Sequence, residues 1–182
     1  ADGEKYGLTY RDRYSNWVDC FGLGTKRGED AKECLNNIRG NDKFDYFYSD
    51  GAPELKQALA ALGIPHDRST PGDPRNNSRA ERSNRHVLEG GRTMLAHAGI
   101  PTCFWTYAIP YFCLCCRMRS WKGRDSAWFM RFGEPFKEKL IPFGALVDYM
   151  PSVTNPRHDP KTAPKAIPGI FMGYVHHAGG NI

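Results

Sequence analysis

The stretch SDGAPELKQALAALGIPHDRSTPGDPRNNSRAERSNRHVLEGGR, residues 49–92, constrains this chain more than any other. Asp50 follows directly on an apolar run, and Glu81 lies inside a basic, helix-like segment. Between them Ser69, Thr70, Pro71, Gly72 and Pro74 predict a loop, because Pro and Gly punctuate helix and strand alike. The pattern therefore presents one carboxylate at a strand end and a second on a helix. Mg²⁺ takes one or two protein carboxylates, keeps several waters and sits beside a substrate phosphate. Asp50 and Glu81 are thus the candidate catalytic and metal-holding pair for divalent-metal phosphoryl transfer. The alternative for Glu81 is a plain i, i+4 pair with Arg85, worth about 0.3–0.5 kcal/mol.

Charge and cysteine usage bound the partners. The net charge is +5, and six arginines fall within 68–92. Charge alone fits a polyanionic partner and a solvated helix face equally well. With 40% hydrophobic and 13% aromatic residues, the 182-residue chain has material for one packed domain and a small appendage. Cys20, Cys34, Cys103, Cys113, Cys115 and Cys116 form no pair of CxxC motifs, and no His pair stands at a zinc-like interval from them. They predict free, buried thiols in a reducing compartment, with no disulfide and no metal. Nothing resembles a signal peptide, and the apolar stretch 100–116, broken by Thr102, Thr106 and Pro110, is too short to span a bilayer. The chain opens on Ala1 and closes on Ile182, and reads as a piece of something longer.

Periodicity gives the order of elements. YGLTYR (6–11) alternates as a half-buried strand, and 15–23 supplies a second, joined by a tight Asp12-Arg13 connection. After a break at 26–30, Ala31, Cys34, Leu35 and Ile38 predict a helix closed by Gly40. Phe44 to Tyr48 predicts a strand that delivers Asp50, and Pro53 opens a helix ending at Gly63. A long helix is expected from near Asn77 to Ala98, with a buried stripe of Ala80, Val87, Leu88, Met94, Leu95 and Ala98. Asn77, Glu81, Arg85 and Arg92 border that stripe, and Gly90-Gly91 predicts a kink. Another helix over 101–116 is expected to bend at Pro110, with Trp105 and Tyr107 in the core. Residues 117–139 read as a polar connector, and two β-like runs then flank a proline-rich loop at 151–168. His66, His86 and His97 read as structural or surface residues, and His176-His177 as exposed. The whole predicts a mixed α/β layer fold.

Several segments carry a specific likeness. SDGAPEL (49–55), LGIPHDRSTPGDPRNN (62–77), AERSNRHVLEGGRTMLAHAG (80–99) and FW (104–105), with the hairpin YRDRYSNW (10–17), resemble the integrase of copia-type retrotransposons. IPFGALVDYMP (141–151) and PGIFMGY (168–174) resemble the small β-domain that follows the catalytic core in those polyproteins. The resemblance implies an RNase H-like mixed sheet flanked by helices over 1–120, a linker over 121–139 and a partial small β-domain over 140–182. It also implies an Asp, Asp, Glu triad holding two Mg²⁺ or Mn²⁺ ions, with Asp50 as the second aspartate and Glu81 as the glutamate. Asn77, Asn84 and Arg85 match positions that hold element DNA, Arg85 through phosphate.

The implied activity is 3′-end processing by water, followed by attack of the new 3′-OH on target DNA. The implied partner is double-stranded DNA, the working unit a homo-oligomer without membrane attachment, and the location the nucleus or a cytoplasmic virus-like particle. This sequence also departs from the family pattern. The family's first aspartate lies on a strand upstream of the hairpin, where this chain begins, while Asp2 and Asp12 fall in expected turns. The interval from Asp50 to Glu81 is shorter than the family's, Ser78 replaces a glycine, and the zinc-binding His/Cys domain is absent. The competing expectation is a catalytically dead integrase relic that at most binds nucleic acid.

Overall fold

The alternation over 6–11 does build a strand, but the turn after it is wider than two residues. In the computed structural model, which describes residues 3–69, 74–151 and 164–175 (backbone alone for 74–77), β1 spans Tyr6–Arg11 and β2 spans Val18–Leu23. They pair antiparallel from Tyr6↔Leu23 to Arg11↔Val18. The connection is organised by Asp12, whose carboxylate accepts the Tyr14 and Ser15 amides at 3.3 and 2.8 Å. Asn16 takes φ +63, which asparagine tolerates, and the Asp12 amide closes the turn on the Trp17 carbonyl at 2.8 Å.

α1 runs Gly28–Arg39, three residues longer at its start than the apolar spacing predicts. Glu29 and Asp30 suit the positive end of the helix, and buried Gly28 has no Cβ to overlap Gln57. Ala31, Cys34, Leu35 and Ile38 are buried as expected, and Gly40 ends the helix by donating to the Asn36 carbonyl at 2.9 Å. β3 is Phe47–Ser49, and α2 is Pro53–Ala61 with its proline in the first turn. A strand the sequence reading missed follows: β4, His66–Arg68, pairs parallel with β3 from Phe47↔His66 to Ser49↔Arg68. A parallel pair needs a crossover, and α2 supplies it. HDR carries no β-branched residue and none of Phe, Tyr or Trp, so nothing local announces the strand.

α3 spans Pro74–Ala98, again three residues earlier than expected, with proline at a position that needs no N–H partner. Its stripe is rotated from the predicted one. Ser83, Val87, Gly91 and Leu95 are buried, whereas Ala80 is exposed and Leu88 is 45% exposed. This i, i+4 row faces α4, Trp105–Met118, against which α3 makes its largest contact. Gly90 and Gly91 do not break α3. A Cβ at either would overlap Phe112 or Ile109, so the two glycines serve close helix approach. A short 3₁₀ turn, Thr102–Phe104, leads into α4, which continues through Pro110. Tyr107 is 38% exposed, so it does not join the core as expected, while half-buried Trp105 touches two core clusters.

The expected polar connector contains α5, Ala127–Phe132, capped by the Ser126 hydroxyl accepting the Phe129 amide at 3.2 Å and ended by Gly133 at φ +73. Trp128 of α5 is buried and stacks on Trp17 at 6.1 Å between centroids. β5, Leu146–Tyr149, pairs antiparallel with β6, Ile167–Ile170, which begins before the expected apolar run. The fold is α/β, but the single mixed sheet expected from sequence is divided. Among the described residues the strands form three two-stranded pieces, one parallel and two antiparallel. The first two pieces share a core, since the Tyr10 ring on β1 stacks on Phe44 and Phe47 at 5.4 and 6.2 Å.

Candidate functional site

Asp50 stands one residue beyond β3, where the sequence places it. The turn that aims it is built by its neighbours. Buried Ser49 sets its Oγ 2.9 Å from His66 Nε2 and accepts the Gly51 amide at 3.1 Å. Asp50 Oδ1 accepts the Ala52 amide at 3.2 Å, just ahead of α2. Gly51 has φ +84, which glycine alone adopts without strain, and a Cβ there would lie 3.0 Å from Arg68 Cδ. The Arg68 side chain therefore runs across the turn at Gly51, and Asp50 itself is exposed. Burial, with Arg68 second, lowers the His66 pKa, which favours the neutral imidazole that hydrogen-bonds Ser49.

Glu81 is exposed on α3. Among the described residues it makes no hydrogen bond and no ion pair, so the plain pairing with Arg85 is absent. Two residues on, buried Ser83 accepts Arg11 Nε at 2.9 Å, which ties the end of β1 to α3. Asn84 and Arg85 are exposed, three and four residues beyond Glu81 and therefore on its side of the helix. The side chain of Asn77 lies outside the described residues. Arg82 Nε turns back to the Ser78 carbonyl at 3.1 Å.

Asp50 and Glu81 offer the hard oxygen donors that Mg²⁺ or Mn²⁺ prefers. Among the described residues, however, no group of three or more His, Cys, Asp or Glu is placed to hold a metal ion. The carboxylates fit the ligand chemistry without forming a complete cage. The six cysteines are free thiols: Cys20, Cys34 and Cys113 are buried, Cys115 and Cys116 half-buried, and Cys103 exposed, contrary to its expected burial. No helix among the described residues is long and apolar enough to cross a membrane. Sequence reasoning missed Ser49, His66, Arg68, Arg11 and Ser83 as supports of the site. The adjacency of Ser49 to Asp50 was the one local signal.

Comparison with known proteins follows the same lines. No family model matches the sequence. The retrovirus-related Pol polyprotein from transposon RE1 of Arabidopsis thaliana is 32% identical over 117 residues, which is 59% of this chain and 8% of the relative. The retrovirus-related Pol polyprotein from transposon TNT 1-94 of Nicotiana tabacum is 38% identical over 124 residues, 61% of this chain and 9% of the relative. The chain thus spans under a tenth of the length of these curated relatives. In structure it resembles the catalytic core domain of BIV integrase, with a TM-score of 0.52 and 14% identity over 68% of this chain and 83% of that one. That likeness shows an RNase H-like, integrase-core fold. The chain is a homologue of the retrovirus-related Pol polyproteins of copia-type transposons, and it carries the fold of a retroviral integrase catalytic core.

Proposed function

We propose that this chain contributes the catalytic core of a retrotransposon integrase, which processes element DNA 3′ ends and joins them to target DNA. The observation that carries the reading is a pair of exposed carboxylates, Asp50 beyond a strand and Glu81 on a helix, with Glu81 held by no side-chain partner among the described residues. Both carboxylates are open to solvent, so a divalent cation reaches their oxygens without displacing a protein partner from Glu81. Asp50 is aimed by Ser49 and Gly51 before any ligand arrives, so little ordering is left for binding. Glu81 is positioned by the Arg11–Ser83 tie.

A divalent ion at these oxygens supplies charge neutralisation at the phosphate and activation of the attacking oxygen. Asn84 and Arg85 hold the DNA backbone beside them, fixing register without reading sequence. Asn77 belongs to the same DNA-binding set by its place on α3. The reading extends to double-stranded DNA of the element ends and the target as partner, a homo-oligomer as working unit, and the nucleus or a cytoplasmic virus-like particle as location. It keeps a core over 1–120, a linker over 121–139 and a partial small β-domain over 140–182, docked on the core through Phe143 and Phe171.

The test uses the integrase that contains this chain, with an element-end duplex and Mn²⁺. Asp50→Asn and Glu81→Gln should each abolish joining while leaving the melting temperature unchanged, since both side chains are exposed. Arg85→Ala should weaken duplex binding about equally across sequences and reduce the slope of log K against log salt by about 0.9. Joining that survives both carboxylate changes would falsify the site assignment.

A further inference from the structure

Residues 117–139 read in sequence as a polar connector, yet they meet the β1–β2 turn to put two large rings and several cations into solvent together. Tyr14 is 76% exposed and Trp121 is 60% exposed. Arg13, Arg119, Lys122 and Arg124 are exposed on the same two segments. Each segment turns sharply here, at 12–17 and at 121–124. Trp121 and Arg124 exchange backbone hydrogen bonds at 3.3 and 2.9 Å, with Lys122 at φ +48 between them. Arg124 docks one turn on the other: its guanidinium lies 5.6 Å from the Tyr14 ring centroid, and its Nη2 donates to the Tyr14 carbonyl at 3.1 Å. Lys122 Nζ stands 5.7 Å from the Trp121 centroid. Asp12 is occupied by its own turn, and Asp125, next to Arg124 in sequence, is exposed.

The combination selects a partner. Phosphates of a duplex call for cations alone, because the base faces are stacked inside. An acidic peptide would likewise leave the rings unused. Single-stranded nucleic acid needs both groups, since its charged backbone runs beside unstacked bases that lie flat on aromatic side chains. We propose that the turns 12–17 and 121–124 form a binding site for single-stranded nucleic acid. Trp121 and Tyr14 stack on bases, and Arg13, Arg119 and Lys122 meet the flanking phosphates. The site uses none of Asp50, Glu81, Asn84 or Arg85, so it stands independently of the catalytic reading.

The test titrates the full chain with a fluorescein-labelled oligothymidylate at low salt, reading anisotropy and tryptophan fluorescence. Binding should quench the emission of the wild-type chain, and Trp121→Phe should remove most of that quench while keeping affinity. Trp121→Ala and Tyr14→Ala should each weaken binding at least about fivefold, the loss expected for one stacked base. Trp121→Tyr should restore most of the affinity, and Lys122→Gln should lower the salt slope by about 0.7. Affinity unchanged in Trp121→Ala, or binding without a Trp121-dependent quench, overturns the proposal. The quench comparison decides the matter even where the alanine variant fails to fold. A blunt duplex of the same length should give no Trp121-dependent quench, which separates this site from the duplex contacts of the catalytic reading.

Discussion

At the residue scale the molecule turns on a buried charge pair that the function does not use. Asp19 and Arg117 are 7% and 2% exposed and form an ion pair across sheet and helix. Asp19 also accepts the Cys20 amide at 3.1 Å. The Arg117 guanidinium lies 4.5 Å from the Trp17 ring centroid, and that of Arg131 lies 4.4 Å from it. Burial pushes the Asp19 carboxyl pKa upward, against the pull of the Arg117 guanidinium. Asp19→Asn keeps the shape and removes the charge, leaving Arg117 as an uncompensated buried cation. It should cost about 3–5 kcal/mol in urea denaturation. Replacing both partners, Asp19→Leu with Arg117→Met, should recover much of that loss, because an apolar replacement of a buried pair is often neutral. A loss below about 1 kcal/mol in the single variant would mean that Arg117 finds solvent when unpaired.

Packing between elements is sharpest where α3 meets α4. Helix propensity alone favours Gly91→Ala by about 1 kcal/mol. Here the new Cβ would overlap Cγ1 of buried Ile109, so either that enclosed side chain leaves its rotamer or α4 moves. Gly91→Ala should therefore destabilise by about 1–3 kcal/mol, read from the denaturation midpoint. A stabilised variant would show that α4 shifts freely on α3. The same contact explains what the sequence hid. Gly40, Pro53 and Gly63 mark helix ends by their own backbone chemistry, so α1 and α2 were legible from local signals. Ser83 and Gly91 carry no hydrophobic signal, so a stripe drawn on Ala80 and Leu88 came out rotated. β4 was illegible because His66–Arg68 is a strand only by pairing with β3. At the site, S-D-G announced Asp50, but the Ser49–His66 and Arg11–Ser83 ties span 17 and 72 residues, beyond any local pattern.

Across the whole molecule, α4 and a few shared side chains join the buried clusters. Tyr10 packs on two of them, and Trp105 links the α4–α5 cluster to that of Val18, Val87 and Cys113. Arg131 on α5 donates to the Ile38 and Arg39 carbonyls at 3.1 and 3.3 Å and pairs with Asp42 at 2.7 Å. It thus satisfies the C-terminal carbonyls of α1 from another layer. The segment after Lys139 enters the same core. Phe143, Phe171, Met172 and Tyr174 pack on the cluster of Tyr111 and Trp128, and the Tyr111 hydroxyl donates to the Ile141 carbonyl. The described parts of this segment, 140–151 and 164–175, therefore serve as a lid on α4 and α5, whatever their role as a β-unit. A chain ended at Lys139 should melt below the full chain and bind a hydrophobic dye, because Tyr111, Trp128 and Phe136 lose their cover. Phe143, 6% exposed, should by itself account for about 1.5–3 kcal/mol of the loss. Equal melting of the two chains would show instead that the β-unit folds apart from the core. The difference bears on the catalytic reading, since α4 is the surface on which α3, and with it Glu81, is seated.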